Sequence, residues 1–135
     1  MDAREYLSQA YEVSKKIKRI SYQLDSVKSD TTYTAPVYGD VKVQTNMKSS
    51  AVESAAIRRV ALENALNEAK EELRDVSEEI SSTIKRVGDS NMESLLEMRY
   101  LSFMDWDTVF NCMGYSRSYV FKLHRQALRR VKTLI

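Results

Sequence analysis

An all-α fold is the expectation, and three observations carry it. The 135 residues hold only three glycines and one proline, so few breaks interrupt the chain. Two long stretches place apolar residues at alternating steps of four and three, the period of a helical seam. Serine and aspartate stand repeatedly where helix N-termini want an oxygen acceptor. Hydrophobic residues at 43% supply a core, and charged residues at 30% imply much solvated helical surface.

Residues 3–28 form the first predicted helix. Tyr6, Ala10, Val13, Ile17, Ile20, Leu24 and Val27 keep an unbroken seam, flanked by Lys15, Lys16, Lys18 and Arg19. Such a stripe, about 39 Å long at 1.5 Å per residue, is of coiled-coil type. Residues 29–49 are expected to be a connector. They contain Pro36 and Gly39, and the alternation of Tyr33, Ala35, Val37 and of Val41, Val43 around Tyr38-Gly39-Asp40 allows a short β-hairpin.

A second long helix is expected from Ser50, where Ser50 and Glu53 have capping-box spacing. Its seam runs through Leu62, Leu66, Ala69, Leu73, Val76, Ile80, Ile84 and Val87, and Gly88 suits a left-handed ending. Neither long helix can bury its stripe alone. A long antiparallel hairpin over residues 1–88 is the economical solution, with a second chain to cover the excess.

Residues 89–135 read as a separate C-terminal domain. Ser90 to Glu93 is a further capping-box pattern, predicting a short helix over 91–101 with Met92, Leu95, Leu96, Met98 and Tyr100 toward a core. Asp105 is the expected N-cap of a helix over 106–113 burying Trp106, Val109, Phe110 and Met113. Gly114-Tyr115 then turns, Ser116 caps, and a last helix runs from Arg117 toward Ile135. Val120, Leu123 or His124, Ala127, Val131 and Leu134 mark its buried face. Eight residues, a glycine turn and a capped helix have the spacing of a helix-turn-helix.

Charge points to a partner. The last acid is Asp107; the six cations beyond it leave residues 1–107 at −4 within a net charge of +2. A basic end on an acidic molecule suggests a polyanion, with double-stranded DNA first in line. Ser116, Arg117, Ser118, Phe121, Lys122 and Arg125 are the expected DNA-facing residues, with Phe121 suited to a thymine methyl. Arg129, Arg130 and Lys132 suit phosphate or surface contacts.

Other chemistry finds little footing. His124 is the sole histidine and Cys112 the sole cysteine, so no metal site or disulfide is expected. His124 is placed between the buried face and the DNA edge, Cys112 in the core. Glu68, Glu71, Glu72, Asp75, Glu78 and Glu79 read as a solvated flank. No nucleophile–base pair or phosphate-cradling glycine loop suggests an enzyme or a cofactor. No segment reads as a signal peptide or approaches about 20 apolar residues, so a cytoplasmic protein without membrane contact is expected.

A resemblance extends this reading. Arg99-Tyr100-Leu101, Asp105-Trp106, Met113-Gly114-Tyr115-Ser116, Val120, His124-Arg125 and Ala127-Leu128 resemble the region-4 helix-turn-helix of bacterial sigma factors. The same run, with the opening MDAREYLSQAY, more closely resembles small phage and prophage transcriptional regulators of Gram-positive bacteria. The resemblance implies DNA binding in a bacterial host cell, with RNA polymerase as a candidate partner. Val109-Phe110 stands where the motif's first helix usually carries Ile-Ala, and no counterpart of the −10-melting sigma region is recognised. A complete sigma factor is therefore not expected.

The expected function is sequence-specific transcriptional regulation by a homodimer joined through the helical hairpin. Two alternatives stay open: a DNA-packaging recognition subunit like a small terminase, forming a ring, and a sigma-like module that docks polymerase without touching DNA.

Overall fold

A computed structural model describes the backbone of residues 1–33 and 42–135 and the side chains of 1–29 and 50–135. Every regular element among the described residues is helical. These are α1 (Ala3–Tyr33), α2 (Lys42–Lys85), α3 (Ser90–Leu96), a π-helical turn (Glu97–Leu101), α4 (Trp106–Met113) and α5 (Arg117–Leu134). No helix among the described residues is long and apolar enough to cross a membrane.

Both long helices overrun their expected limits. α1 continues to Tyr33 and α2 begins at Lys42, so residues 29–33 and 42–49 are helix rather than connector. Ser50 therefore lies within α2 and caps nothing. The threonine, valine and serine residues of these two stretches disfavour a helix by well under 1 kcal/mol each, too little to stop one already propagating. The remainder of the expected connector, including the turn at Tyr38-Gly39-Asp40, lies outside the described residues.

Contacts group the chain into two compact units. The first joins Met1–Ser14 to Glu72–Ile135, and the second comprises Lys15–Glu71. In the first unit Ala3, Tyr6, Leu7 and Ala10 share one core with Ile80, Ile84, Val87, Leu95, Leu96, Val109, Val120 and Val131. A polar pair crosses it: the Tyr6 hydroxyl and Thr83 Oγ1 share a 2.8 Å hydrogen bond, satisfying two buried groups at once. In the second unit Ile20, Leu24 and Val27 of α1 and Ala55 and Ala69 of α2 are buried. Ile17, Leu62 and Leu66 are half-buried there, so the apolar seam is real but thinly covered.

The junction after α2 departs from expectation by one residue. Gly88 takes a left-handed φ of 82°, as a helix ending requires. The cap of α3 is Asp89 rather than Ser90: its carboxylate accepts the Met92 N–H at 3.0 Å. Glu93 reaches back to accept the Gly88 N–H at 3.3 Å. Ser90 loses the contest because the carboxylate beside it is the stronger acceptor.

The single helix predicted over 91–101 is two segments. From Glu97 the chain widens into the π-turn, closed where the Ser102 N–H donates to the Glu97 carbonyl at 2.9 Å. Phe103 follows at φ 57°, a left-handed conformation that a bulky residue adopts at a cost of about 1 kcal/mol or more. Two contacts hold it. The Arg99 guanidinium donates to the Met104 carbonyl at 2.7 Å, and the Phe103 ring lies 5.7 Å from that of Tyr11. The wide turn puts Tyr100 inside and leaves Met98 half-buried.

Candidate nucleic-acid interface

The candidate interface is built from α4, the turn at Gly114 and α5. Asp105 caps α4 as expected, its carboxylate accepting the Thr108 N–H at 2.8 Å. Hydrogen bonds from Thr108, side chain first and backbone second, hold the Asp105 carboxyl below the usual carboxylate range. Gly114 ends α4 at φ 71°, donating its N–H to the Phe110 carbonyl at 2.9 Å. Ser116 Oγ then accepts the Tyr119 N–H at 3.3 Å and starts α5. That hydroxyl is committed to the cap, while the opening N–H groups of α5 form the positive end of its dipole.

α5 presents two faces of opposite character. Val120, Leu123, His124, Ala127 and Val131 are buried, and Leu134 packs beside them. The other face carries Ser118, Lys122, Arg125 and Arg129, all exposed, spaced i, i+4, i+7 and i+11 along one stripe. No ion-pair partner stands by Lys122, Arg125 or Arg129 among the described residues. The stripe is a row of cations and hydroxyl held outward by a helix that its opposite face locks in place.

Two expected base readers lie elsewhere. Arg117 leans onto α4, 3.2 Å from the Asp107 carboxylate and 5.4 Å above the Phe110 ring. Both partners of that ion pair are exposed, so the pair contributes little stability, but it draws Arg117 off the stripe. Phe121 is 38% exposed and its ring packs 5.0 Å from Trp106 and 5.3 Å from Phe110. Its ring also closes an aromatic cluster between α4 and α5.

Three other placements change. His124 is only 4% exposed, not at an edge: its Nε2 and the Tyr100 hydroxyl share a 2.7 Å bond. Its ring meets Trp106 edge-on at 4.9 Å. Burial first, then the charges of Arg4, Arg99 and Arg125, lowers its pKa from 6.5 to about 4. Cys112 is exposed, because the apolar stripe of Trp106, Val109, Phe110 and Met113 leaves position 112 on the outer flank of α4. Arg130 donates to the Val87 carbonyl at 3.2 Å, tying α5 to the turn after α2 rather than offering a free phosphate contact.

One pair escaped the sequence reading. Tyr115 and Tyr119 are each 44% exposed with ring centroids 4.8 Å apart, beside the start of α5. Their i, i+4 spacing is visible in the sequence, but the sequence reading gives Tyr115 only the turn before α5 and its ring no role. Glu68, Glu71, Glu72, Asp75, Glu78 and Glu79 are exposed on α2. Among the described residues no group of three or more His, Cys, Asp or Glu is placed to hold a metal ion.

Comparison with known proteins adds one match. Residues 32–132, three quarters of the chain, match the family described as "Protein of unknown function (DUF1492)". No curated protein and no solved structure matches.

Proposed function

The chain belongs to the DUF1492 family, and from the geometry of α5 we propose that it is a sequence-specific DNA-binding transcriptional regulator of phage or prophage type. One observation carries the reading: the stripe Ser118, Lys122, Arg125 and Arg129 stands exposed on the face opposite a fully buried one. In this proposal α4 and α5 act as a helix-turn-helix. α5 enters the major groove with Ser118, Lys122 and Arg125 near base edges, and Arg129 neutralises phosphate. Tyr115 and Tyr119 join them as backbone contacts at the start of α5, and Arg117 becomes a reader only by leaving Asp107.

The hairpin of α1 and α2 is proposed to pair two chains. Ile57 and Val60 support this, being 70% and 55% exposed on α2 within the second unit. A dimer acting in the bacterial cytoplasm would read two half-sites about one helical turn apart.

Selection of bound duplexes from a random pool tests the proposal. An enriched motif with half-site symmetry is expected, and its affinity should fall with salt at a log–log slope of about −4 to −5, for roughly four to six phosphates. Binding indifferent to salt, or unchanged in Lys122→Ala with Arg125→Ala, would sink it. Co-purification with RNA polymerase and no duplex binding would point to polymerase docking instead.

A further inference from the structure

Away from the exposed stripe, the first unit contains a cleft of about 260 Å³ lined by Arg4, Ser8, Arg99, Tyr100, Trp106, Phe121 and His124. A second cavity of similar size adjoins it, sharing Ser8, Arg99 and Tyr100. Neither is large enough for a drug-sized cofactor, for which about 300 Å³ is a lower bound. What distinguishes the cleft is its lining.

Arg99 is held in place before any ligand arrives. Its guanidinium lies 4.9 Å above the Trp106 ring and donates to the Met104 carbonyl at 2.7 Å. A planar guanidinium fixed by two contacts has already lost the freedom that binding would cost it. Arg4, from the first turn of α1, lines the same cleft beside Tyr100 and His124. Neither arginine is in an ion pair among the described residues. The nearby carboxylates have other engagements: Asp105 caps α4, and Asp2 accepts the Arg4 backbone N–H at 3.3 Å.

We propose that the Arg4–Arg99 cleft is a binding site for a phosphate group, held between the two guanidiniums above the Tyr100–His124 floor. A tetrahedral, multiply charged oxyanion accepts from two guanidiniums at once, with oxygen left for the Ser8 hydroxyl. A lone carboxylate is satisfied by one arginine fork. The group comes either from a free phosphate ester or from the backbone of a nucleic acid. The proposal does not rest on the reading of α5.

Trp106 is the chain's sole tryptophan and lines the cleft, so its fluorescence reports occupancy. The full chain is titrated with inorganic phosphate, against chloride at matched ionic strength, and separately with a duplex of arbitrary sequence. A saturable change with phosphate, half-complete near about 1 mM and weakened at least tenfold in Arg4→Ala, establishes the site with free phosphate as its source. A change with duplex alone that Arg4→Ala abolishes establishes it with backbone phosphate as the source. No response that depends on Arg4 overturns the proposal. Arg4 is exposed, so its variant keeps the fold; Arg99→Gln, checked by circular dichroism, is the second variant. Lys122→Ala with Arg125→Ala should leave the phosphate response intact, which separates failure of the cleft from failure of the DNA-reading stripe.

Discussion

His124 shows how one residue's surroundings become a measurable property. Its pKa in the folded chain, about 4, lies below the ordinary 6.5, so the unfolded chain binds the proton more readily. Stability should therefore fall as pH drops from about 6.5 toward 4, by on the order of 3 kcal/mol if burial persists to the end of that window. Urea unfolding at several pH values, for the wild type and His124→Gln, checks this; the variant should lose that part of the slope. Gly114 offers a simpler case. Nothing lies within 4 Å of a Cβ built there, so Gly114→Ala meets no clash and carries only the left-handed penalty of about 1 kcal/mol. Ser116→Ala should cost about as much by removing the cap of α5, and both are read from the unfolding midpoint. Three of the residues that matter here were legible as chemistry: Asp105 and Ser116 cap as their side chains suggest, and Gly114 takes the left-handed turn that suits a glycine. The exposure of Cys112 and the partners of His124 and Arg130 were not, because burial and partnership depend on contacts with other elements.

Helices reveal themselves by period, and periods blur at ends. The apolar faces of α1 and α5 were largely legible, since each rests on five or more positions at helical spacing, although Ala3 and the fully buried Leu7 lie outside the predicted seam of α1 and Ile17 within it is only half-buried. The start of α2 was not, because propensities of tenths of a kcal/mol cannot outvote a helix already formed. The π-turn was hidden for another reason. One extra residue in a turn changes the hydrogen-bond ladder without changing composition, so Glu97–Leu101 looks like ordinary helix in sequence. On α5 the geometry divides the cations in a way the run of charge did not. If the proposed DNA reading holds, Arg129→Ala should weaken binding uniformly and lower the salt slope by about 1. Arg125→Ala should also relax specificity at one base pair, with a cost of about 1–3 kcal/mol. Arg130→Ala should instead lower stability and leave the slope alone, because its guanidinium bonds Val87. Binding isotherms at three salt concentrations separate the three.

At the scale of the whole chain, sequence reading reached the class of fold and the left-handed turn at Gly88 after α2, but it could not show which distant segments share a core. Periodicity reports that a face is apolar, not what covers it. Leu95, with no exposed surface, sits where the first turns of α1, the end of α2 and α5 meet in one cluster. Leu95→Ala should cost about 2–5 kcal/mol, whereas Ile57→Ala, 70% exposed, should stay within about 0.5 kcal/mol in a single chain. Thermal unfolding of the two variants gives the contrast. That Met1–Ser14 packs with Glu72–Ile135 also sets a timetable. Residues 1–14 leave the ribosome before residues 72–135, so Leu7 and Ala10 wait uncovered while the stretch between is made. At about 5–20 residues per second the wait lasts several seconds. A nascent chain stalled before Val120 would present that stripe to any chaperone within reach.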